Sequence, residues 1–424
     1  MLVTIDALRA DHLGVYGYPR PTSPHIDAFA RESIVVEEAI AQAPYTKASI
    51  ASLMTGLYPT AHKTFTTAAN IVDTMDGTVD GVRGATDVLP ESVTTLAEAL
   101  KARGYETIAL TTNPFLIRDF GFAQGFDRFE FISADGFAAA ADVLAHTLHV
   151  IEGQEEPLFV WVHLMEPHSP YSPAVPFERE LPLLSPPRPI PPPFAIPDYL
   201  APGGSRDARY YETLYDREIR NVDAAFGSFV DALREKPAWP GTVLVLTSDH
   251  GEEFFEHGGL EHNRTLYDEL VRVPLIMRVP GLGSRRVSSQ AQLIDLMPTI
   301  VAMAGGGAVP GIHGHDLRPV LHGEVSLEEP AYTEIVGHQY AVRTREWKFV
   351  AGPGQERELY ALTRDPAEHH NLAPIHPRQV AAMEHVLERM VASAIKAGER
   401  FTGARAPVDP ATRRRLEALG YLQR

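Results

Sequence analysis

The stretch TVLVLTSDHGE, residues 242–252, joins an uninterrupted run of β-branched and aliphatic residues to side chains that can bind a metal. A run without polar alternation predicts a strand buried on both faces, as in parallel sheets covered by helices. Asp249 and His250 stand directly after the expected end of this strand. Open sheets of this type bind ligands beyond the carboxyl ends of their strands, so this point is a candidate site.

Similar runs recur along the chain and alternate with helical patterns. The stretch ESVTTLAEALKARG carries Val93, Leu96, Ala97 and Leu100 on one helical face, and Gly104 is expected to end the helix. We therefore predict an α/β fold over residues 1–330, a large domain whose central, mostly parallel sheet is covered by helices on both faces. The other predicted strands are LVTI before Asp6, TIALTT before Asn113, LFVWVHL before Glu166 and VPLIM at 273–277.

The pattern changes after residue 330. Short strands (QYAVRT, WKFVAG, ELYAL) and one amphipathic helix predict a small α+β subdomain over residues 331–424. Residues 172–206 are rich in proline, which forbids regular structure, and we expect either a lid over the site or a plain surface loop. The apolar stripe of the predicted helix consists of Val380, Met383, Leu387, Met390 and Ile395.

Composition excludes several functions. Lys and Arg number 38 against 55 Asp and Glu, and the net charge of -17 argues against nucleic acid or an anionic membrane as partner. The absence of cysteine excludes disulfides, thiolate metal sites and thiol nucleophiles. The sequence has neither a membrane-spanning apolar run nor a signal-like amino terminus, so we expect a soluble, cytoplasmic protein, or a secreted or periplasmic one if the true start lies upstream. The oligomeric state stays open.

Three predicted strands end in groups that can hold a metal. Asp6 follows the first strand, Asp249 and His250 follow the fourth, and the third leads into HLMEPHSPY with His163, Glu166 and His168. A lone Asp after a strand is commonly a turn former or helix cap, but these placements agree. Two carboxylates and one imidazole suit Zn or Mn and leave a position for a hydroxyl or substrate oxygen.

Thr46 precedes the helical run KASIASLMT, so it is either a capping residue or a reactive hydroxyl. The two interpretations are compatible, because a helix start favours anions and a metal would activate the hydroxyl beside it.

Further polar residues follow the same strands and have two interpretations each. His168, stiffly held between prolines, is a partner for a substrate oxygen or a proton donor to the leaving group. His262, like His257, belongs either to the site or to a surface loop. Asn113 either donates to a substrate oxygen or forms a turn. Arg9 and Asp11 form a structural ion pair or contact the substrate.

Taken together, the motifs resemble the sulfatase branch of the alkaline phosphatase superfamily. They include IDALRADHLGVYGYPRPTSPHIDAFA, TKASIASLMTGLYPTAH, SDHGEEFFEHGG, LYDELVRVPLIM, ELYALTRDPAEHHNLA and the closing RRRLEALGYL. The resemblance implies an alkaline phosphatase-like fold and a smaller carboxyl-terminal domain with its own sheet. It places Asp6, Asp249 and His250 at metal-ligand positions, Thr46 at the nucleophile, His168 at a substrate-contacting histidine, Asn113 at the end of a strand that carries a basic pair, and His262 near a site lysine.

The sequence departs from the family pattern at residues that determine the reaction chemistry. The resemblance implies a Cys-or-Ser, X, Pro, Ser, Arg pattern in sulfatases, whose first residue is converted to formylglycine. Residues 46–50 of this chain read TKASI instead, and Thr46 cannot form that aldehyde. The paired acids of the first strand are reduced to Asp6 alone, which favours Zn or Mn and leaves Ca possible. Lys47 either supplies the charge of the missing arginine to the substrate or faces solvent.

These features predict a metal-dependent hydrolase that cleaves phosphate or phosphonate esters through a covalent Thr46 intermediate. A sulfated threonine lacks the exit that a formylglycine hydrate has, whereas water can attack a phosphorylated threonine in line. The alternatives are a sulfuric ester hydrolase without formylglycine, a phosphoethanolamine-type transferase and a non-catalytic glycan-binding pseudoenzyme. The expected substrate is a small-molecule, glycan or lipid ester. One metal is expected, and a second site completed by Glu166, His168 and His262 stays open.

Overall fold

The computed structural model describes residues 1–66, 78–79, 82–83, 85–132, 138–154, 157–172, 177–197, 199–200 and 204–418. Its strands are β1 (Leu2–Ile5), β2 (Ile34–Ile40), β3 (Thr78–Val79), β4 (Val82–Arg83), β5 (Ala85–Val88), β6 (Glu106–Thr111), β7 (Arg128–Phe131), β8 (Leu158–Leu164), β9 (Leu244–Ser248), β10 (Glu253–Phe254), β11 (Leu260–Glu261), β12 (Arg272–Arg278), β13 (Arg285–Gln292), β14 (Ala331–Ile335), β15 (Gln339–Arg343), β16 (Trp347–Ala351), β17 (Glu358–Ala361) and β18 (Ala404–Pro407). Its α-helices are α1 (Pro24–Ala30), α2 (Thr46–Thr55), α3 (Pro59–His62), α4 (Leu96–Lys101), α5 (Ala140–Val150), α6 (Ala208–Arg234), α7 (Asp268–Val271), α8 (Leu296–Met303), α9 (Arg318–Leu321), α10 (Pro377–Gly398) and α11 (Pro410–Ala418).

The central sheet has eight strands in the order β13-β2-β12-β9-β1-β8-β6-β7. Every neighbouring pair is parallel except the two that involve β12, which runs antiparallel to β2 and to β9. The predicted mostly parallel sheet is therefore confirmed. The predicted strand VPLIM lies within β12, whose reversed direction the apolar pattern does not reveal.

Helices cover both faces of this sheet, as predicted. Leu2 packs on one face with α2, α4 and α8, and Val3 and Ile5 pack on the other with α1, α5 and α6. Helix α4 is shorter than predicted because Thr95 caps it through a reciprocal bond with Glu98. With apolar side chains buried on both faces, burial gives the sheet most of its stability.

Strand register brings the site residues to one edge of the sheet. Ile5 of β1 lies opposite both Ser248 of β9 and Leu164 of β8, so these three parallel strands end level. Asp6 and Asp249, which directly follow β1 and β9, therefore lie next to each other at this edge. Asn113 follows β6, which pairs with β8, at the same edge.

The carboxyl-terminal part forms the antiparallel sheet β14-β15-β16-β17, against which α10 packs. Val380, Met383 and Leu387 are buried as predicted, but the prediction for Ile395 is wrong, since it is 50% exposed. Ala394 is buried in its place because it lies seven residues after Leu387, close to two full turns. Strand β18 then returns to pair with β5, and the division of the chain at residue 330 stays a prediction.

The described part of the proline-rich segment 172–206 contains neither helix nor strand, only an isolated bridge between Pro189 and Asp207. Its Leu181, Ile190 and Leu200 are nevertheless buried, so this part is an ordered packed loop. Residues 173–176, 198, 201–203 and the closing 419–424 lie outside the described residues. Among the helices of the described ranges, none combines the length and the apolar character that crossing a bilayer requires.

Leu246→Ala tests the central core, because Leu246 is fully buried in the middle of β9. The cavity should lower the free energy of unfolding by about 3 kcal/mol. Val325→Ala, at a side chain that is 54% exposed, should change it by less than about 0.5 kcal/mol. Urea unfolding of both variants measures the difference. Equal losses would contradict the assignment of Leu246 to the core.

Candidate active site

Three buried side chains converge at the carboxyl edge of the central sheet. One ligand atom from each of Asp6, Asp249 and His250 lies within 4.8 Å of the other two. Among the residues that the structure describes, this is the one group of three or more whose ligand atoms meet so closely. The sequence prediction that these residues come together is correct.

The loop after β9 fixes the orientation of Asp249 and His250. The backbone N–H groups of Ala7 and His250 donate to Asp249 Oδ1 at 3.2 and 3.0 Å. A Cβ on Gly251 would lie 1.9 Å from the Glu269 carbonyl oxygen, so a side chain there would displace the loop. Ala7 takes a positive φ of 56°, which turns the chain sharply after Asp6.

The tautomer of His250 suits metal binding. Its Nδ1 lies 2.8 Å from the Gly251 carbonyl oxygen, which can only accept, so Nδ1 carries the proton. The lone pair of Nε2 then points towards the two carboxylates, at 3.4 Å from Asp6 Oδ1 and 3.5 Å from Asp249 Oδ2. A backbone bond of this kind orients histidine ligands in metal sites.

Charge balance also indicates a cation. Asp249 Oδ2 has no hydrogen-bond donor among the described residues. Burial, and then the neighbouring Asp6 carboxylate, raise the pKa of Asp249. Burial acts against ionised Asp6 as well, yet the imidazoles of His168, His163 and His250 hold its pKa well below the ordinary value. Two carboxylate oxygens and one imidazole nitrogen fit Zn or Mn, and a divalent ion would neutralise the excess charge.

Thr46 lies beside this group. Its Oγ1 is 3.4 Å from Asp6 Oδ2 and 3.3 Å from His250 Nε2, and its side chain is buried. Helix α2 begins at Thr46 itself and the flanking N-cap residue is Tyr45, so the interpretation of Thr46 as the capping residue is wrong. The hydroxyl therefore lies next to two of the three candidate ligands.

Asn113 also belongs to the cluster. Its Nδ2 donates to Asp6 Oδ2 at 2.7 Å and to Thr46 Oγ1 at 3.3 Å. The Asn113 carbonyl Oδ1 accepts from the backbone N–H of Phe115 at 2.9 Å, which identifies the amide orientation. Both interpretations of Asn113 therefore hold, since one side chain forms the turn and reaches the site.

His163 contacts a candidate ligand and is not one of the converging three. Its Nε2 lies 3.1 Å from Asp6 Oδ2, and its Nδ1 lies 2.8 Å from Thr4 Oγ1. Thr4 also accepts from Trp161 Nε1 at 3.0 Å. Sequence reasoning missed Thr4 and Trp161, because inside a buried strand nothing distinguishes a polar side chain with a role from one without.

Glu166 does not join the metal group. Its Oε2 accepts from the backbone N–H of Ala140, the first residue of α5, at 2.7 Å. Carboxylates are stabilised at such helix starts, and the chain turns towards α5 after β8 ends at Leu164. Among the described residues, Glu166, His168 and His262 do not form a metal-binding group, so the second site that the sequence left open is not assembled.

His168 and His262 lie next to the group formed by Asp6, Asp249 and His250. Their ring centroids are 4.9 Å apart, and that of His262 is 4.4 Å from His250. Burial lowers the pKa of His168 to about 4 and that of His262 well below its ordinary value. His262 Nδ1 lies 3.0 Å from Glu252 Oε1, and the His168 Nδ1 proton is directed at the Ser169 carbonyl oxygen. The structure thus brings both predicted histidines to the cluster.

The Lys47 side chain contacts residues outside the metal group. Its ammonium donates to Thr86 Oγ1 and to the Asp87 carbonyl oxygen, and lies 4.8 Å from the Phe120 ring centroid. It is buried, so the solvent-facing alternative is wrong, and these contacts do not bring it to the metal group. Adjacent helix positions point about 100° apart, which separates Lys47 from Thr46.

The remaining predicted residues have structural contacts. Arg9 pairs with Asp11 at 2.8 Å and with Glu256 at 2.8 Å, which confirms the structural interpretation. His257 stacks on Tyr267 with ring centroids 3.6 Å apart, and it does not join the candidate site.

Comparisons with known proteins cover most of the chain. The family model described as Sulfatase matches residues 1–306, and the one described as N-sulphoglucosamine sulphohydrolase, C-terminal, matches residues 255–396. The Delta 4,5-hexuronate-2-O-sulfatase of Bacteroides thetaiotaomicron is 23% identical over 420 residues, which cover 88% of this chain and 84% of that protein. Arylsulfatase K of Mus musculus is 30% identical over 205 residues, 42% of this chain and 37% of that protein, so the match spans less than half of that relative.

Solved structures share the fold over almost the whole chain. Phosphonate monoester hydrolase of Agrobacterium radiobacter superposes with a TM-score of 0.75 at 20% identity, covering 93% of this chain and 95% of that one. A 2-O GAG sulfatase superposes with a TM-score of 0.73 at 21% identity, covering 97% and 95%. At these identities the likeness concerns the fold.

Metal removal tests the cation site. Treatment with a chelator should destabilise the protein, and added Mn or Zn should restore about 2.7 kcal/mol when the free ion reaches a hundredfold its dissociation constant. Asp249→Asn should abolish this response, whereas the exposed Glu388→Gln should keep it. Thermal unfolding with and without the ion measures the effect. A response that persists in Asp249→Asn would contradict the assignment.

Proposed function

Because the chain belongs to the sulfatase family, we propose that it is a metal-dependent hydrolase that cleaves phosphate or phosphonate esters with Thr46 as the nucleophile. The observation that carries the proposal is the placement of Thr46 Oγ1, 3.4 Å from Asp6 and 3.3 Å from His250. Thr46 stands where the resemblance puts the residue that sulfatases convert to formylglycine. The family membership and the relatives named sulfatases or phosphonate monoester hydrolases support hydrolysis as the reaction.

In the proposed first step, Thr46 Oγ1 attacks phosphorus and gives up its proton to water. The Oγ1–P bond forms as the bond from phosphorus to the leaving oxygen breaks. A divalent ion held by Asp6, Asp249 and His250 would stabilise negative charge on the reacting oxygens. The Asn113 amide, already 3.3 Å from Oγ1, is placed to donate to a non-bridging oxygen.

The leaving oxygen takes a proton from His168 or His262. Burial keeps both imidazoles neutral near pH 7 in the free protein, but a bound dianion raises the pKa of a nearby imidazole. In the second step water attacks phosphorus, returns a proton to the imidazole and breaks the Oγ1–P bond. Thr46 regains its proton from solvent, and the phosphate or phosphonate departs.

The side chain at position 46 favours phosphorus over sulfur. A sulfated threonine cannot collapse to a carbonyl, whereas phosphorylated threonine yields to in-line attack by water. The second candidate is a sulfuric ester hydrolase that works without formylglycine, which the sulfatases among the relatives favour. A pseudoenzyme has no physical need for Asp6, Thr46, Asp249 and His250 together. The substrate under either candidate is a small-molecule or glycan ester.

Thr46→Ala should lower kcat for aryl phosphate and phosphonate esters by at least about a thousandfold, because it removes the attacking atom. Thr46→Ser should retain part of the activity. Thr242→Ala, two residues before β9 begins and away from its carboxyl end, should leave kcat unchanged. Steady-state assays with phosphate monoesters, diesters, phosphonate monoesters and sulfate esters make the comparison, and mass spectrometry of acid-quenched protein should find a phosphorylated Thr46 peptide. Dominant sulfate hydrolysis that survives Thr46→Ala would refute the proposal, and phosphoryl transfer to an added alcohol in place of water would identify a transferase.

His168→Gln should slow esters with poor leaving groups more than activated ones, because it removes a proton donor to the leaving oxygen. For phenyl phosphate the loss should reach about a hundredfold or more, and for 4-nitrophenyl phosphate it should be far smaller. His149→Gln, at a side chain that is 80% exposed, is the matched control. The dependence of kcat on the leaving-group pKa measures the effect. Equal losses on both esters would show that His168 does not donate a proton to the leaving oxygen.

A further inference from the structure

Residues 261–264, which we call the rim segment, link three parts of the candidate site. The backbone N–H of Asn263 donates to the Pro44 carbonyl oxygen at 3.2 Å, two residues before Thr46. The Glu261 carboxylate accepts from Tyr199 of the proline-rich segment at 2.7 Å and from Ser169 at 2.8 Å. Glu261 and Asn263 have φ values of 69° and 79°, so the segment turns tightly around His262. The rim segment is thus fixed relative to the nucleophile.

Arg264 is the exposed cation of this segment. Its Cζ lies 6.0 Å from the Phe194 ring centroid, and Phe194 packs edge-on against Phe255 at 5.2 Å. Within the part of the chain that the structure describes, no carboxylate pairs with its guanidinium at 4.0 Å or less. Its charge nevertheless acts on the neighbouring carboxylate, since it opposes the rise that burial causes in the pKa of Glu261. Arg264 is therefore a positioned cation without a close counter-ion.

We propose that Arg264 binds a second anionic group, a carboxylate, phosphate or sulfate, carried by the leaving part of the substrate. The inference rests on the proposed function only in placing the reacting ester at Thr46. Arginine forms paired, charge-assisted hydrogen bonds with such groups, and a guanidinium held beside an aromatic ring is oriented to make them.

Arg264 is close in sequence to a histidine of the candidate site. Arg264 is two residues from His262, so their Cα atoms are at most about 7 Å apart. In the proposed complex, an ester at Thr46 and an anion at Arg264 belong to one small unit, such as one acidic sugar residue or a substituted benzene ring. The inferred substrate class is the small ester that carries an additional anionic substituent, and uncharged alcohols would be poor leaving parts.

Calorimetric titration of the metal-loaded full chain tests this inference. The probes are phenylphosphonate and its 3-carboxy and 4-carboxy derivatives, whose C–P bonds are not cleaved by ester hydrolysis. The wild-type protein should bind at least one carboxylated probe about tenfold more tightly than phenylphosphonate, as expected for one charge-assisted contact. Arg264→Gln should abolish this difference and leave phenylphosphonate binding unchanged, and Arg264→Lys should retain part of it. Phosphate and sulfate analogues of the extra substituent then show which anion binds best.

Arg389→Gln, at an exposed position of α10, should match the wild type with every probe. Equal affinity of the wild type for carboxylated and plain probes would overturn the inference. So would equal weakening of all probes by Arg264→Gln, which would indicate a structural role, or the absence of binding by any probe. Because binding is measured without turnover, a failure of Thr46 to act on phosphate esters would leave the Arg264 difference intact and would be seen separately in the kinetic assays.

Discussion

The structure depends on the convergence of two buried carboxylates at one edge of the central sheet. Asp6 and Asp249 share a site with His250, and Asp249 Oδ2 has no donor among the described residues. A buried charge is tolerated only when it is paired or coordinated. The arrangement therefore requires a positive partner at that point. A divalent cation held by these residues would supply that partner, and the His250 lone pair faces the same carboxylates.

The fold supplies this convergence through strand register. Strands β1, β8 and β9 are adjacent and end level, so residues separated by more than two hundred positions in sequence meet at one edge. The surrounding polar residues then fix the carboxylates: Asn113 and His163 contact Asp6, and backbone N–H groups hold Asp249. Thr46 reaches the same point from the start of α2. Its position supports a nucleophilic role for its hydroxyl.

Periodicity and strand-end rules predicted the sheet and the residues that directly follow its strands. Asp6 and Asp249 are of this kind, and His250 and Asn113, each two residues beyond a strand, are held at the same edge by bonds to the backbone of Gly251 and Phe115. Glu166 has the same offset from β8, but its carboxylate accepts from the start of α5, which the sequence pattern does not locate. Lys47 is buried beside Phe120 and Thr86, a partnership between distant segments that no local pattern encodes. The reversed direction of β12 and the exposure of Ile395 have the same origin, in tertiary packing.

The central claim is that one divalent cation lies between Asp6, Asp249 and His250. Anomalous diffraction from crystals grown with Mn or Zn, recorded on both sides of the absorption edge of the metal, tests it most directly. The account predicts a single strong peak at bonding distance, about 2.0–2.2 Å, from an oxygen of each aspartate and from His250 Nε2. A peak bound by other residues, or no peak between these three in crystals that contain the metal elsewhere, would contradict it.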